Sequence, residues 1–597
     1  MKKILSFFLF SLLVTTSFAQ LTVRNNAFLY ANDQVLFVED DVNLKESASS
    51  LYLRNDAQLV QGTGVTGNSG LGKLSIFQSG TVHNYAYNFW ASPVGNVDTD
   101  FAGNSDFRPN TNFYEWIGNV DPLLNEITSI PVSFTGSLDG TSTPLTISSY
   151  WLYSYNPGTQ YSDWDHIGES GNLASGYGFT MKGITGSTGQ LYDFRGKPNT
   201  GTINVAVLNG QSTLAGNPYP SALDTAAFIH DPNNNALFDG TLLFWEHDLS
   251  VSSHQTADYI GGYGMYTISA DGLMQSWNAP IFSSPDANGF PSGIGSASTS
   301  GKRIYRYIAV GQGFMVEATA DGNLQFKNEH RAYYKQTDPN SEFYKTASQT
   351  QKFTNEEQDI YNYNDHGQIL PNPYKRFRLN VNFNNAFTRP LLHNFHPTAT
   401  NGFDFGLESA NNETAPTDAY FILQDVPYVT QAHNFDIDLK IPLVLKIEQN
   451  MPVAVKVYDI QNLDNQPIYL HDKETDVYYD LTVLNFETNL EAGIYDNRFE
   501  IVFNNTNTLT TEAFEDSNFN IFQNNKRSQL EIYNPNAKQI NTVTITDVSG
   551  KQILNKTDLN TKPQYEFSTK SLSTGVYIVN VTFKDNTVQT KKIIVNN

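Results

Sequence analysis

Short apolar runs alternate with turn-forming residues along almost the whole chain, and no long stretch places apolar residues at helical spacing. Runs such as 35–38, 453–457 and 575–581 are rich in β-branched and aromatic residues, which favour strands. Clusters of Asn, Gly, Ser and Asp separate these runs, as expected at turns. The pattern predicts an all-β fold.

The chain is longer than one hydrophobic core usually serves, since it has 597 residues. Charged residues make up only 16% and aromatic residues 13% of it, which argues against intrinsic disorder. We therefore predict a multidomain protein built from β-sandwich-like units. An immunoglobulin-like sandwich of seven strands is predicted at its C-terminal end, where short strands and turns recur closely.

The charge balance and the absence of cysteine exclude several kinds of site. The formal net charge of −23 argues against nucleic acids or anionic lipids as partners. Because the chain has no Cys, disulfides, thiolate metal sites and cysteine nucleophiles are excluded. A metal site would need oxygen ligands or some of the 11 His, which favours calcium over zinc.

Residues 1–19 have the pattern of a secretory signal peptide: two lysines, an apolar run over about 4–14, and small residues before the mature chain. We predict cleavage between Ala19 and Gln20. The apolar run is about half as long as a membrane span requires, and no later segment is longer. The mature chain is therefore predicted to have no transmembrane segment.

The middle of the chain contains an internal duplication. Three segments recur in the same order at offsets of about 125 to 135 residues, which predicts two similar β units packed together. The matching segments are 88–93 with 215–220, 176–181 with 311–316, and 193–199 with 325–331.

Composition and spacing divide the rest of the chain. The first segment after the signal is interpreted either as one edge of a sandwich or as a few β-helix rungs. The predicted units are a strand ladder at 20–79, a duplicated region at 80–345 with halves at about 80–205 and 206–345, a linker at 346–370, a β-sandwich at 371–505, a linker at 506–518, and a C-terminal domain at 519–597.

The last eighty residues resemble the C-terminal sorting domain of the type IX secretion system, by which Bacteroidetes move proteins across the outer membrane. Segments 543–551, 572–579 and 591–594 carry the resemblance. It implies that the secretion machinery is a partner and that the protein passes through the periplasm to the cell surface or the medium. The motif residues are Asp547, Gly550, Lys551, Leu572, Gly575, Tyr577, Lys591 and Lys592.

The same residues also fit an ordinary immunoglobulin-like adhesive domain. Gly550 would allow a turn between two strands, and Lys591 and Lys592 would protect an edge strand from pairing with other chains. Separately, residues 224–226 resemble the short Bacteroidetes O-glycosylation pattern, which makes Thr225 a candidate acceptor. The alternative is a short helix that starts at this point with Asp224 as its cap.

One loop has the alternating oxygen side chains of a calcium site, although its sixth and twelfth positions lack the usual Gly and Glu. The alternative is an Asn-rich loop without metal. Structural calcium is the single cofactor that the sequence suggests, and the candidate ligands are Asp231, Asn233, Asn235 and Asp239.

No local catalytic motif is present: we find no zinc-protease helix, nucleophile elbow, phosphate loop or dinucleotide fingerprint. No catalytic residue is predicted. The cluster at 163–166 combines two acids, a Trp and a His, and is interpreted either as part of a sugar site or as a solvated turn.

Two functions remain after these exclusions. The first is a secreted or cell-surface protein without enzymatic activity, an adhesin or another binding or structural protein, with a glycan or surface-protein ligand. The second is a secreted glycan-active enzyme or carbohydrate-binding protein, in which some of the many aromatic side chains form stacking platforms instead of filling cores.

Overall fold

The computed structural model describes the chain in two compact units, the first ending at Asn504 and the second beginning at Asn505. The signal peptide predicted at 1–19 and both predicted linkers, 346–370 and 506–518, lie outside the described residues. The described residues are 20–64, 66–117, 127–186, 189–285, 291–336, 341, 343–344, 374–411, 414–463, 465–505, 519–559, 561–585 and 587–596.

Strands dominate both units, which confirms the all-β, multidomain prediction. The helical elements that the structure describes are no longer than five residues, in agreement with the lack of helical periodicity. They are the α-helices Pro109–Asn112 and Thr225–Ile229 and the 3₁₀ turns Ser149–Trp151, Tyr161–Asp163, Thr256–Asp258 and Asn328–His330.

The first strands stack in parallel, in three columns. This arrangement corresponds to β-helix rungs, one of the two interpretations of the sequence. Leu51, Leu53 and Leu59 point inward and are fully buried. The strands are Leu21–Val23 with Val42–Leu44, Phe28–Asn32 with Ser50–Arg54 and Lys73–Gly80, and Val35–Val38 with Gln58–Gln61.

The next two sets of strands follow the two halves of the predicted duplication. The first set is Tyr87–Ala91, Val94–Gly95, Phe113–Trp116, Ser129–Pro131, Ser133–Thr135, Thr141–Ser142, Leu145–Ser148, Tyr153–Tyr155, Trp164–His166, Gly178–Lys182 and Gln190–Pro198. The second set is Ile203–Val207, Ser212–Gly216, Ala222–Asp224, Leu242–His247, Gly261–Ile268, Gln275–Asn278, Ile281–Pro285, Pro291–Ala297, Tyr307–Ile308, Gly313–Glu317, Gly322–Phe326 and Arg331–Ala332.

The same strand pairing occurs in both halves. In the first half Tyr87–Ala91 pairs antiparallel with Gly178–Lys182, and in the second Ser212–Gly216 pairs antiparallel with Gly313–Glu317. These four strands overlap the recurring segments 88–93, 215–220, 176–181 and 311–316. The flanking pairs also correspond: Lys73–Gly80 with Gln190–Pro198, and Ile203–Val207 with Gly322–Phe326.

The halves are joined by reciprocal backbone hydrogen bonds. The amide of Ala91 donates to the carbonyl of Gly311 at 2.7 Å, and the amide of Gly216 donates to the carbonyl of Gly176 at 3.0 Å. Both acceptor glycines have positive φ, 73° and 91°, a conformation that glycine adopts without strain. Each half therefore contributes the same donor and the same acceptor to the junction.

The third β region forms one eleven-stranded, nearly closed barrel-like sandwich. Its core includes Phe377, Leu443 and Phe499 and is continuous with Leu214 and Met315 of the duplicated region. The strands are Lys375–Phe383, Phe387–Phe395, Ser409–Ala410, Asp418–Leu423, Val426–His433, Lys440–Ile447, Met451–Gln461, Tyr469–Asp472, Val477–Asp480, Phe486–Leu490 and Gly493–Val502.

The second unit is a sandwich of a three-stranded and a four-stranded sheet, which confirms the predicted seven-strand C-terminal domain. Val543, Val579 and Val581 are fully buried between the sheets. Its strands are Asn520–Asn524, Gln529–Tyr533, Ile540–Asp547, Gln552–Thr557, Gln564–Ser568, Gly575–Phe583 and Val588–Val595. Among the described residues, none of the helices has the length and apolar character needed to cross a membrane.

Replacing Gly313 by Ala is expected to destabilise the first unit, because the new Cβ would lie 2.8 Å from both the amide nitrogen and the carbonyl oxygen of Trp90. Overpacking of this kind costs about 1–3 kcal/mol in the free energy of unfolding. Gly136→Ala is the control, since that Cβ would meet no atom within 4 Å. Calorimetry of the mature chain should show a lower unfolding temperature for G313A alone, and an equal effect of both variants would contradict the prediction.

Candidate functional site

The first unit contains a cleft of about 1450 Å³ whose walls come from both halves of the duplicated region and from the third β region. The third region contributes Phe403, Ala410, Val426 and Tyr428. Aromatic rings dominate the rest of the lining: Tyr87, Phe89, Tyr150, Trp151, Tyr153, Tyr155, Tyr161, Trp164, Trp245, Tyr259 and Tyr263.

One wall is a single face of the sheet in the first half. Because residues opposite each other in antiparallel strands share a face, the register Phe89 to Thr180 to Tyr153 forms one row of this wall. Tyr155 and Trp164 pair in the next row. The opposite face of the same strands packs into the interior, where Trp90 is fully buried.

The matching face of the second half forms the other wall. Met315 pairs with both Leu214 and Leu243, and Trp245 pairs with Tyr263 on the neighbouring strands. The indole of Trp245 and the ring of Tyr263 meet edge to face at 5.2 Å between centroids. Two walls of the same pairing pattern thus enclose one cleft.

The rings of the two walls contact each other. Phe89 lies 6.1 Å, centroid to centroid, from both Trp164 and Tyr263, and Trp164 lies 4.8 Å from Tyr155. Such tilted and edge-to-face pairs are the favoured aromatic geometries, so this network holds the rings in fixed positions. The cleft is therefore a preformed aromatic surface.

The pseudo-equivalent positions Lys182 and Glu317 carry opposite charges. Each is the last residue of its strand, and they pair with Tyr87 and Ser212, which are also equivalent. Glu317 lines the cleft. The duplication therefore places a basic and an acidic side chain at corresponding positions of the two walls.

Lys182 is buried among aromatic rings of the cleft wall. Its ammonium lies 3.6 Å from the ring centre of Trp151 and 4.8 Å from those of Tyr87 and Tyr259, which are cation–π distances. It donates a hydrogen bond to the hydroxyl of Tyr259 at 2.6 Å and lies 3.2 Å from Nδ1 of His254. Burial lowers the pKa of Lys182 to about 7.

Two carboxylates of the second half share the cleft. An isolated antiparallel bridge pairs Phe238 with Ala318, the neighbours of Asp239 and Glu317 in the sequence, and both carboxylates line the cleft. Burial raises the pKa of Asp239, while the amide of Thr241 donates to its Oδ1 at 2.9 Å. One carboxyl of the pair is thus shifted toward its neutral form.

Two of the candidate calcium ligands contact each other, since the side-chain amide of Asn233 donates to Oδ1 of Asp231 at 3.0 Å. Asp231 is buried and accepts hydrogen bonds from the ammonium of Lys327 at 2.6 Å and from the amide of Asn233 at 2.8 Å. Asn233 and Asn235 are exposed, and Asp239 belongs to the cleft. Calcium binding at this loop stays a prediction.

Asp231 instead forms a group with Glu329 and His330, whose ligand atoms all lie within 4.8 Å of one another. Nε2 of His330 is 2.9 Å from Oδ2 of Asp231. The ammonium of Lys327 bonds to the same Oδ2, and it supplies the positive charge that a metal ion would otherwise bring. The group is therefore accounted for as an ion-pair network.

Thr225 is fully buried, and its hydroxyl donates to the carbonyl of Arg306 at 2.7 Å. A glycan on this oxygen would have to be attached before the unit folds. The alternative interpretation of the segment is confirmed, because Asp224 caps the helix Thr225–Ile229 by accepting from the amide of Ala226 at 3.0 Å.

The predicted sorting motif lies on turns and on one edge of the second unit. Asp547 accepts from the amides of Ser549 and Lys551, and Gly550 completes this turn with a φ of 81°. Leu572 packs against the core, and Gly575 begins a strand. The hydroxyl of Tyr577 donates to the carbonyl of Ser573. Lys591 and Lys592 are exposed on the edge strand Val588–Val595. Of the predicted cleavage site, Ala19 lies outside the described residues and Gln20 is exposed.

The acidic cluster at 163–166 is divided between two roles. The carboxylate of Asp163 accepts from the amides of Thr159 and Gln160 and so closes a turn, whereas Trp164 points into the cleft. The sequence indicated Trp164 but not Phe89 and Tyr155, which its ring contacts, nor Trp245 and Tyr263 on the other wall. The signal that could have found them is the duplication, since equivalent strands place their alternating faces in corresponding positions.

Comparison with known proteins finds two families without an assigned function. A family model described as a domain of unknown function, DUF8693, matches residues 10–503, and a second such model, DUF8694, matches residues 509–595. No curated protein matches the chain. Among solved structures, the chain is similar to the BSP domain of a biofilm associated protein, with 8% identity over 88% of this chain and 96% of that one. The TM-score is 0.11, too low for the likeness to support any argument.

Lys182→Met should remove a pH dependence of stability. The unfolded chain holds the Lys182 proton up to about pH 10, and the folded chain releases it near the folded pKa of about 7. Between about pH 7 and pH 10 the unfolded state therefore binds more protons than the folded state, and Lys182 makes the free energy of unfolding increase with pH. Met at this position does not titrate, so it has no such effect. As the pH rises from 6 to 10, the unfolding temperature of the wild type should therefore increase relative to that of Lys182→Met.

Lys440→Met is the control for this comparison, since its side chain is 64% exposed. Its difference from the wild type should stay constant over the same pH range. Parallel pH profiles of the wild type and Lys182→Met would contradict the assigned burial of the ammonium.

Proposed function

We propose that this chain, which belongs to the family described as domain of unknown function DUF8693, is an exported binding protein without enzymatic activity, acting at the cell surface or in the medium. The observation that carries the proposal is the preformed aromatic cleft of about 1450 Å³ in the first unit. Large concave sites lined by aromatic and a few polar groups are typical of ligand-binding sites. The ligand would be a glycan or a protein of another surface.

The export route is the second part of the proposal. Residues 1–19 have the pattern of a secretory signal, and residues 519–597 resemble a type IX sorting domain. The compactness of the second unit supports such a role, because a partner can recognise a compact folded unit. The exposed lysines 591 and 592 on its edge strand are accessible to a partner.

Deletion of 519–597 should trap the protein in the periplasm of a bacterium that has a type IX secretion system. Cell fractionation and immunoblotting of the medium, outer membrane and periplasm measure the outcome. In the matched gain-of-function experiment, a reporter protein carrying residues 1–19 and 519–597 should leave the cell. Normal appearance of the truncated chain outside the cell would exclude this route.

A glycan-active enzyme is the second candidate function, favoured by the pair Asp239 and Glu317. Each is next in the sequence to one residue of the bridged pair Phe238 and Ala318, and glycosidases use two carboxyl groups about 5–10 Å apart. A raised pKa, as burial produces at Asp239, is what a general acid requires. The pair lies in the aromatic cleft, where a sugar chain could bind.

Hydrolysis of polysaccharides separates the two candidates. For the binding protein, prolonged incubation with neutral polysaccharides should release no new reducing ends, and Asp239→Asn and Glu317→Gln should behave like the wild type. For the enzyme, the wild type should release sugars and each substitution should reduce the rate at least about a hundredfold, as expected for loss of general acid–base catalysis. The second result would replace the proposed function by the enzyme.

A further inference from the structure

The aromatic rings of the cleft include several that no core requires. Tyr150 is 47% exposed and Tyr161 is 51% exposed, and both line the cleft beside Trp164. Their flat faces are apolar and their edges polar, which matches the two characters of a sugar ring, with its C–H face and its hydroxyl rim. A purely apolar ligand would leave the phenol groups unpaired.

Hydrogen-bonding groups without charge lie between the rings. Carbohydrate hydroxyls both donate and accept, and amide or hydroxyl side chains match them on both counts. A lipid chain would desolvate these groups without compensation. The uncharged polar side chains of the lining include Thr159, Gln160, Gln211, Gln255 and Thr256.

The charges at the cleft select against an anionic ligand. Asp239 and Glu317 line it together with His254, and within the part of the chain that the structure describes no Lys or Arg belongs to the lining. Lys182 is buried behind the rings of Trp151 and Tyr259. Uronic acids or sulfated sugars would therefore bring their negative charges next to two acidic side chains.

The volume indicates a chain instead of a single sugar. Small-molecule sites usually enclose roughly 300–1,000 Å³, and this cleft exceeds that range with about 1450 Å³. Tyr150 contacts Trp151, and a second set of ring contacts runs from Trp164 through Phe89 and Tyr263 to Trp245 on the other wall. Phe89 and Trp151 are buried, whereas Tyr150 is exposed and Trp164, Trp245 and Tyr263 are half-buried, so these four rings offer several stacking positions along one ligand.

We infer that the cleft binds a neutral oligosaccharide or polysaccharide chain, with sugar rings stacked on Tyr161 and Trp164 and hydroxyl groups bonded to the uncharged polar lining. This inference rests on the proposed function and names its ligand class. Trp164 and Tyr161 determine affinity, and Glu317 with Asp239 exclude acidic glycans.

The test is to screen the mature protein against an array of neutral glycans. A hexasaccharide that binds is then titrated into the protein by calorimetry to measure its affinity. Trp164→Ala and Tyr161→Ala should each weaken binding at least about tenfold, the effect of losing one stacking residue at the centre of a site. Trp116→Ala is the matched control: its indole is 37% exposed and lies outside the cleft lining, so affinity should not change. Unchanged unfolding temperatures show that the Tyr161 variant is folded.

The remaining arms distinguish the inference from the proposed function on which it rests. Polygalacturonate and heparin-derived hexasaccharides should bind at least about tenfold more weakly than the neutral ligand, and equal or tighter binding would overturn the neutral class. A displayed peptide library is screened in parallel. Trp164-dependent peptide binding without glycan binding would overturn the inference and leave the binding function, whereas no Trp164- or Tyr161-dependent ligand in either screen would overturn both.

Discussion

The close approach of the two duplicated halves is the constraint on which the rest of the first unit depends. Backbone meets backbone there, through the reciprocal bonds of Ala91 to Gly311 and Gly216 to Gly176. A Cβ on Gly216 would lie 2.6 Å from that of Ala91, so the junction tolerates no larger side chain on either partner. Because the strands meet at this distance, the two aromatic faces become walls of one cleft instead of surfaces of two separate domains.

The duplication explains the geometry of the cleft, and the differences between the copies explain its chemistry. Equivalent positions hold Tyr87 and Ser212, or Lys182 and Glu317, on strands with the same register. One wall is therefore rich in phenol rings around a buried ammonium, while the other presents a carboxylate. These differences make the two walls of the cleft chemically unlike each other.

Local patterns predicted the elements well, because strand periodicity and turn residues are written in neighbouring positions. The seven strands of the C-terminal sandwich and the turn at Gly550 follow from such patterns. The candidate calcium loop shows the limit of local patterns. The spacing of its oxygen side chains is a local feature, but Asp231 accepts a hydrogen bond from Lys327, which is 96 residues away. Long-range strand pairing decides which charged side chains meet, and the spacing of residues within the loop contains no information about that pairing.

The same limit applies to the aromatic residues, whose abundance alone fits either a core or a stacking surface. Phe89 and Trp90 are adjacent and, since successive side chains in a strand point to opposite faces, only one of them can belong to the cleft. Trp90 is fully buried with Phe194 and Tyr192, while Phe89 contacts Trp164 and Tyr263. The aromatic residues of this chain therefore have both roles. On one face of the strands they stabilise a sheet that has no disulfides, and on the other face they form the surface at which a ligand would bind.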